Sequence, residues 1–396
     1  MADLFLKSGR EKSVQNRHPW VFSGAVGQIQ GDAADGDLVA VRDAQGRFLA
    51  RGYLNRQSQI AVRLLSWEER EAVDAAFWQR RIASAVARRQ PLLDDGETTA
   101  CRLIYAESDL LPGLIVDRYD DLLVVQCLTL GIARRREEIV QALIDVLSPA
   151  GIYERSDADV RAHEGLPAAV GTLYGREPSP EIAILENGYH FLVDVKGGQK
   201  TGFYLDQRGN RQALARYAKG REVLDAFAYT GAFGIYAATA GAGPVTHLDT
   251  SAEALALARR NASLNGLHRP ENAFVQGNAF QVLRQYRDQG RAFDLIILDP
   301  PKFAPTRKHV HRAARAYKDL NLLALKLLRP DGILFTFSCS GGVDAALFQK
   351  IVFAASVDAR RDVQAIASLA QGADHPILLS FPESAYLKGM VCRVLC

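Results

Sequence analysis

Val223-Leu224-Asp225-Ala226-Phe227-Ala228-Tyr229-Thr230-Gly231-Ala232-Phe233-Gly234 is an apolar strand running into a glycine-bearing turn and then a helix. Glycine at such a turn lets backbone approach a ligand without a Cβ in the way. Alone, the pattern is equally a tight strand-to-helix connection. The balance shifts with Asp249, which ends the next apolar run fifteen residues after Gly234, where a carboxylate can accept both hydroxyls of a ribose. A nicotinamide dinucleotide would use three glycines in a GxGxxG turn to cradle its pyrophosphate, and this turn offers only Gly231-x-x-Gly234. S-adenosylmethionine (SAM) carries no phosphate and needs no such cradle. A third run ends at Gln276-Gly277-Asn278-Ala279-Phe280, placing the Asn278 amide for adenine or, equally well, for capping the backbone.

Outward from this stretch the rhythm is strand, helix, strand, helix. Glu222 to Phe227, Val245 to Asp249, Ala273 to Gln276, Leu295 to Asp299 and Ile333 to Ser338 read as strands, with helices such as Ala252 to Leu264 and Arg315 to Leu328 between them. Alternation of this kind predicts a doubly wound, mostly parallel sheet that binds ligands beyond the carboxyl ends of its strands. Upstream the pattern differs. Leu4 to Leu65 alternates short apolar runs with Gly and Asp, as in a small all-β barrel. A charged helix over about Glu68 to Arg89 follows. Then comes an α+β stretch with strands at Leu114 to Asp117, Leu122 to Leu128 and Ile182 to Leu185, and a helix near Glu137 to Leu147. The expected domains are therefore 1–73, 74–185 and 186–396.

Leu295-Ile296-Ile297-Leu298-Asp299-Pro300-Pro301-Lys302-Phe303 is an apolar strand stopped by two prolines, which fixes Asp299 at the sheet's catalytic edge. A strand terminator explains the prolines but not the carboxylate before them. The next strand ends at Ser338-Cys339-Ser340-Gly341-Gly342, so Cys339 should face the same cleft. Buried cysteine is usually a small hydrophobe, but one flanked by serines at a strand end is a credible nucleophile. The pair makes sense together if the target is C5 of cytosine, a carbon too weakly nucleophilic to be methylated unaided. A free thiol of pKa near 8.5 is only about 3% thiolate at pH 7, so neighbouring basic groups would have to raise that fraction.

A composition of 48% hydrophobic and 23% charged residues describes folded domains rather than disorder. Met1-Ala2-Asp3-Leu4 opens no apolar leader and no stretch approaches a membrane span, so a soluble, cytoplasmic protein is expected. Cys101, Cys127, Cys339, Cys392 and Cys396 are scattered, suggesting neither a disulfide framework nor a metal knuckle. A net charge of +3 decides nothing about nucleic acid, but its distribution does. From Pro300 to Lys318 there is no acidic residue, while Lys302, Arg307, Lys308, Arg312, Arg315 and Lys318 are basic. Lys7, Arg10, Lys12 and Arg17 add a second group, followed by His18-Pro19-Trp20-Val21-Phe22, whose Trp20 and Phe22 are expected in the barrel core. These ten cations are the candidate phosphate contacts.

Taken together, His18 to Phe22, Thr201-Gly202-Phe203-Tyr204-Leu205-Asp206-Gln207-Arg208, Asp225 to Gly234, Asp299 to Phe303, Ser338-Cys339-Ser340 and Glu383 to Gly389 resemble the bacterial large-subunit ribosomal RNA methyltransferase I family. That group methylates C5 of a cytosine in 23S rRNA. The resemblance spans nearly the whole chain. It implies a multidomain fold: a small all-β PUA barrel, a central α+β unit and a C-terminal α/β Rossmann-like class I methyltransferase. It further implies that Cys339 is the nucleophile and that SAM is the cofactor, while the catalytic role of Asp299, supporting protonation at N3 through its protonated form, comes from the residues themselves. The residues surrounding SAM would be Tyr204, Arg208, Asp225, Phe227, Tyr229, Thr230, Gly231, Asp249, Thr250, Asn278, Ala279 and Asp299, with Tyr204 and Arg208 closing over the methionine end. The implied partner is 23S rRNA or a large-subunit assembly intermediate, without metal or membrane; a homodimer is compatible.

Two departures bear on the chemistry. Many RNA cytosine-C5 methyltransferases carry a second cysteine in the aspartate-proline motif, where this chain has Pro301 and Lys302, so the base that removes the C5 proton is unassigned. Asn278 stands where an acid is commoner. The rival enzyme is an exocyclic amino methyltransferase acting on adenine or guanine, whose Asp-Pro-Pro motif is usually followed directly by an aromatic; here Lys302 intervenes before Phe303. A rival of another class is a non-catalytic RNA-binding assembly factor working through its barrel.

Overall fold

The computed structural model describes residues 1–268, 270, 273–303 and 309–395. The chain divides into two compact units. The first comprises Met1–Gly188, Val193–Leu205 and Asp374–Ser384, and the second Tyr189–Leu192, Asp206–Ala373 and Ala385–Cys396.

In the first unit, strands β1 (Ala2–Leu6), β2 (Trp20–Phe22), β3 (Val26–Gln30), β4 (Leu38–Arg42), β5 (Phe48–Leu54) and β6 (Ile60–Ser66) form one sheet in the order β2-β6-β5-β4-β1-β3. Alternate residues such as Leu4, Leu6, Val39, Val41, Val62 and Leu64 point into one core. Helix α1 (Lys12–Gln15) lies between β1 and β2. A second sheet, β7 (Ala100–Tyr105), β8 (Leu114–Tyr119), β9 (Leu122–Cys127), β10 (Gly151–Ser156) and β11 (Ala169–Gly175), runs in the order β11-β10-β9-β8-β7. It carries α2 (Ala75–Arg89), α3 (Leu130–Arg134) and α4 (Arg136–Leu147). Tyr53 and Leu65 of the first sheet belong to the second sheet's core, alongside Phe77, Trp78 and Ile139.

Buried ion pairs reinforce that join. Arg63 reaches Glu107 at 3.0 Å and Glu164 at 2.9 Å, and Asn55 and Ser58 also bond Glu164. Segment 374–384 is integral to this unit. The Asp374 carboxylate accepts from the Arg102 N–H, Arg89 donates to the Asp374 carbonyl, and Phe381 packs on Trp20 with ring centroids 4.6 Å apart. Strands β12 (Ile182–Glu186) and β13 (Tyr189–Val193) span the passage of the chain towards the second unit.

The second unit is built on β14 (Val223–Ala226), β15 (Val245–Asp249), β16 (Phe274–Gln276), β17 (Phe293–Leu298), β18 (Leu328–Ser338), β19 (Val363–Leu369) and β20 (Lys388–Val394). Their order is β16-β15-β14-β17-β18-β20-β19. The first five strands are parallel, and β20 enters antiparallel between β18 and β19. Period-two alternation sends Leu295 and Ile297 of β17 to one face and Ile296 and Leu298 to the other. Both faces are covered, which is why these strands read as continuous apolar runs. Helices α5 (Arg208–Ala218) and α6 (Ala232–Thr239) pack one face, α8 (Ala279–Asp288), α9 (Val310–Leu327) and α10 (Ala345–Ala359) the other, and α7 (Ala252–Leu264) leads from β15 towards β16. The strand order reverses between β14 and β17, so the carboxyl ends of β14, β15, β17 and β18 flank the crevice where such sheets bind ligands.

Three expectations are corrected. The charged helix starts at Ala75, capped by the Asp74 side chain on the Phe77 N–H, because Glu71 is spent on Arg80 and Arg81 instead of continuing the helix. Helix α9 starts at Val310, five residues before the expected Arg315. Phe22 is 49% exposed and outside the barrel core, while Trp20 is half-buried with its Nε1–H donating to Glu107.

Candidate active site

The turn between β14 and α6 contains three left-handed residues, Phe227 (φ 65°), Tyr229 (φ 48°) and Gly231 (φ 81°). For side-chain-bearing residues this conformation costs about 1–2 kcal/mol each, so the surroundings must impose it. They do so from β15. The Ala228 N–H donates to the Leu248 carbonyl (3.0 Å) and the Tyr229 N–H to Asp249 Oδ2 (2.9 Å). Asn261 Nδ2 holds the Thr230 carbonyl (3.2 Å). Asp225, buried under the turn, accepts from the Gly234 N–H (3.0 Å) and lies 3.4 Å from His247 Nδ1.

Both glycines are also required by packing within the protein. A Cβ on Gly234 would lie 2.2 Å from the His247 ring, and one on Gly231 would lie 2.9 Å from Ala258 Cβ. What the turn offers a ligand is polar. Thr230 Oγ1 is buried and has no hydrogen-bond partner among the described residues. Asp249 is half-buried, with Oδ2 on Tyr229 and Oδ1 on the Ser251 N–H at 3.0 Å. A carboxylate has about four acceptor positions, so about two stay open for a diol. An unsatisfied hydroxyl and a diol acceptor, with no phosphate cradle, suit SAM. Thr250 is exposed beside Asp249, and Ala279 is buried at the start of α8. Asn278 caps that helix, its Oδ1 accepting from the Phe280 N–H at 3.0 Å, which leaves its amide N–H groups for an adenine ring nitrogen.

Across the switch point, β17 delivers the half-buried Asp299, and β18 delivers Ser338-Cys339-Ser340. Both serines are fully buried and Cys339 is partly accessible between them. Tyr317 of α9 bonds Ser340 Oγ at 3.0 Å, and its ring packs at a tilt, centroids 4.9 Å apart, on Phe303, two residues after the second proline. Burial raises the Tyr317 hydroxyl above its usual pKa, opposed by hydrogen bonds to Ser338 and Ser340. One buried phenol thus ties the loops after β17 and β18 together. Lys388 of β20, paired with Ser338 of β18, donates to the Ser340 carbonyl (2.8 Å) and the Tyr386 carbonyl (2.7 Å). Arg208 is buried at the start of α5. Tyr204 belongs to the first unit, where its hydroxyl donates to Gln199, so the second unit alone does not gather it with the others.

Residues 4–67 match a PUA-like domain and residues 109–370 an S-adenosylmethionine-dependent methyltransferase. The ribosomal RNA large subunit methyltransferase I of Shewanella amazonensis is 49% identical over 389 residues, 98% of each chain. That of Aeromonas salmonicida is 47% identical over 390 residues, again 98% of each. The chain belongs to the ribosomal RNA large subunit methyltransferase I family. It is a SAM-dependent methyltransferase with an N-terminal PUA-like domain. Among solved structures, a SAM-dependent methyltransferase from Streptococcus mutans shares the fold over 100% of both chains, with TM-score 0.85 and 24% identity. A methyltransferase crystallised with S-adenosylhomocysteine (SAH) matches with TM-score 0.87 and 25% identity, also over 100% of both.

The expected phosphate contacts of this family member separate into engaged and available groups. Lys7 donates to the Gly24 carbonyl, Arg17 faces Glu68 at 3.7 Å, and Lys318 pairs with Asp358 at 2.7 Å. Arg10, Lys12, Lys302, Arg312 and Arg315 are exposed. Arg307 and Lys308 lie outside the described residues. No described helix is long and apolar enough to cross a membrane. Sequence reasoning missed Tyr317 and Lys388. Glu383 to Gly389 was noticed only as a motif, and nothing local shows that Lys388 pairs opposite Ser338.

Proposed function

We propose that this methyltransferase acts on C5 of a cytosine in large-subunit ribosomal RNA, in the cytoplasm, through a covalent adduct with Cys339. The observation that carries this reading is the pairing of an accessible Cys339, between two buried serines, with Asp299 at the end of the adjacent strand. The family relatives' names supply the RNA.

SAM, when bound, supplies an electrophilic methyl group; Asp249, Thr230, Asn278 and Arg208 are the residues proposed to hold it. The Cys339 thiolate adds to C6 of the ring. As the S–C6 bond forms, the displaced electrons reach N3, which takes the proton of the Asp299 carboxyl. C5 is now enamine-like and can be methylated. Loss of the C5 proton to a base rebuilds the C5–C6 double bond, breaks S–C6 and frees the thiolate, and N3 returns its proton to Asp299. Phe303 is turned onto Tyr317 and Phe280, which disfavours the amino-methylation reading because that reading needs an aromatic to stack on the target base. Arg10, Lys12, Lys302, Arg312 and Arg315 contact phosphate, so log affinity should fall with log salt by about 0.7 per contact on single strands.

The test is methyl transfer from labelled SAM to deproteinised large-subunit rRNA lacking the modification, with product nucleosides identified for wild type and Cys339→Ala. Methylcytosine that disappears with the cysteine is expected. Methyladenosine or methylguanosine retained by the variant would overturn the reading.

A further inference from the structure

Two features of the second unit are left over from that mechanism: a thiol that must ionise near neutral pH, and a half-buried lysine that no step uses. The antiparallel register of β18 and β20 sets Lys388 opposite Ser338, one residue before Cys339. From there its Nζ crosses to the carbonyl of Ser340, one residue after Cys339, at 2.8 Å, and to the Tyr386 carbonyl at 2.7 Å. The backbone of Lys388 is thus set opposite the residue before the cysteine and its ammonium holds the carbonyl of the residue after it. The ammonium gives two of its three donors to backbone and retains a third.

We propose that Lys388 is the activating residue for Cys339: its ammonium places a positive charge beside the sulfur, favouring the thiolate, and its two backbone bonds fix the turn that presents it. This rests on the reading of Cys339 as the nucleophile. On ionisation the thiol proton leaves to solvent and Lys388 stays protonated. Burial pulls Lys388 below the usual lysine pKa, while Cys339 and Asp344 pull it back up and Lys302 pushes it down. The coupling between Cys339 and Lys388 is thus mutual. Tyr317 is coupled to Cys339 as well, and its pKa is raised by burial, so it remains a neutral phenol at physiological pH and adds no opposing charge. Asp344 is the opposing carboxylate, on the far side of the Gly341-Gly342 turn with its Oδ1 capping α10, while Asp299, after the neighbouring strand, enters the proposed step in its protonated form. In two other thiols burial prevails: it pushes Cys392 up to about 11 and, with Glu154 adding to it, Cys127 up to about 12 despite Arg161 and Arg136, and neither is offered as a nucleophile.

The experiment is the pH dependence of iodoacetamide alkylation of the full-length protein, read by mass spectrometry on the peptide carrying Cys339. The proposal expects a wild-type midpoint below the free-thiol value of about 8.5. In Lys388→Met the midpoint should rise by about one unit or more, with alkylation at pH 7 about tenfold slower, because a nearby opposite charge shifts a pKa by about 1–3 units. Methyl transfer should fall in parallel at pH 7 and recover towards pH 9, and Lys388→Arg should restore the midpoint. A wild-type midpoint at or above 8.5 overturns the proposal without any variant, and so does an unchanged midpoint in folded Lys388→Met. Normal methyl transfer by Cys339→Ala would remove the nucleophile instead, a result separable because the alkylation midpoint is read without turnover.

Discussion

Replacing Gly234 by alanine adds one methyl group at a point where the fold has no room for it. The new Cβ would stand 2.2 Å from His247 Cε1 and 2.7 Å from Nδ1, against the 3.4 Å at which ordinary contact begins. The ring cannot simply swing aside, being buried, stacked on Phe274 at 4.9 Å and 3.4 Å from Asp225. The start of α6 must therefore move by about 1 Å, which is typical of overpacking and costs about 1–3 kcal/mol. That movement also stretches the bond from the Gly234 N–H to Asp225, a charged acceptor, bringing the total to about 2–4 kcal/mol. The same displacement drags Thr230 and Tyr229 away from Asp249, so the dissociation constant for SAH should rise about tenfold or more. Thermal unfolding and titration calorimetry with SAH measure the two effects. Gly209→Ala is the control: Gly209 is exposed on α5 with nothing within 4 Å of its Cβ, and the change should stabilise by up to about 1 kcal/mol. Gly234→Ala with wild-type melting and wild-type SAH affinity would refute the assignment of this glycine to helix–strand packing.

Tyr317→Phe should lower kcat several-fold, leave SAH binding unchanged and cost about 1 kcal/mol, because it frees the Ser338-Cys339-Ser340 turn without touching the cofactor turn; a kcat equal to wild type would show that the phenol is only packing. Glu164→Gln should destabilise the first unit by about 3 kcal/mol at neutral pH, since it uncouples a buried Arg63, and a melting curve superimposable on wild type would contradict this. Its pH dependence has a definite sign. Burial alone would raise the Glu164 pKa, but Arg63, Asn55 and Ser58 together hold it below the usual value. The stability it contributes is complete above the unfolded pKa of about 4.3 and is lost as pH falls through the lower folded value. The glutamine variant should therefore show a shallower acid limb than wild type in urea titrations between pH 5 and 3.

The parts of the fold legible from sequence are those where one local cause sets the pattern. Val245–Asp249 and Ala252–Leu264 were read to the residue because a strand buried on both faces is a continuous apolar run and Ser251 marks the next helix by capping Ala254. The first turn of α9 was missed because His311 and Arg312 are exposed and carry no apolar period. Asp249, Asp299 and Cys339 could be found because each ends a strand that the sequence shows plainly. Lys388 could not, because it is brought to the Cys339 turn only through strand pairing, forty-eight positions along the chain from the Ser340 carbonyl it holds. Asp225 and Gly234 are also engaged inside the protein, at the buried His247, because the chemistry of a tight turn is the same whether it faces a cofactor or a buried side chain.

The segment 374–384 has a consequence for how the protein is made. Arg89, Arg102 and Trp20 emerge from the ribosome early, yet Asp374 and Phe381, which they need, follow six of the seven strands of the parallel-sheet unit. At synthesis rates of about 5–20 residues per second, the N-terminal unit waits tens of seconds with the Arg102 backbone N–H and one Arg89 N–H lacking their Asp374 acceptors, although Asp117 and Asp109 already hold the two guanidinium groups. The other unit waits as well, because β20, the strand that joins β19 to the rest of its sheet, comes later still. Neither half is complete until 374–384 and β20 have been made, so a chain broken off before Asp374 leaves both halves unfinished at once.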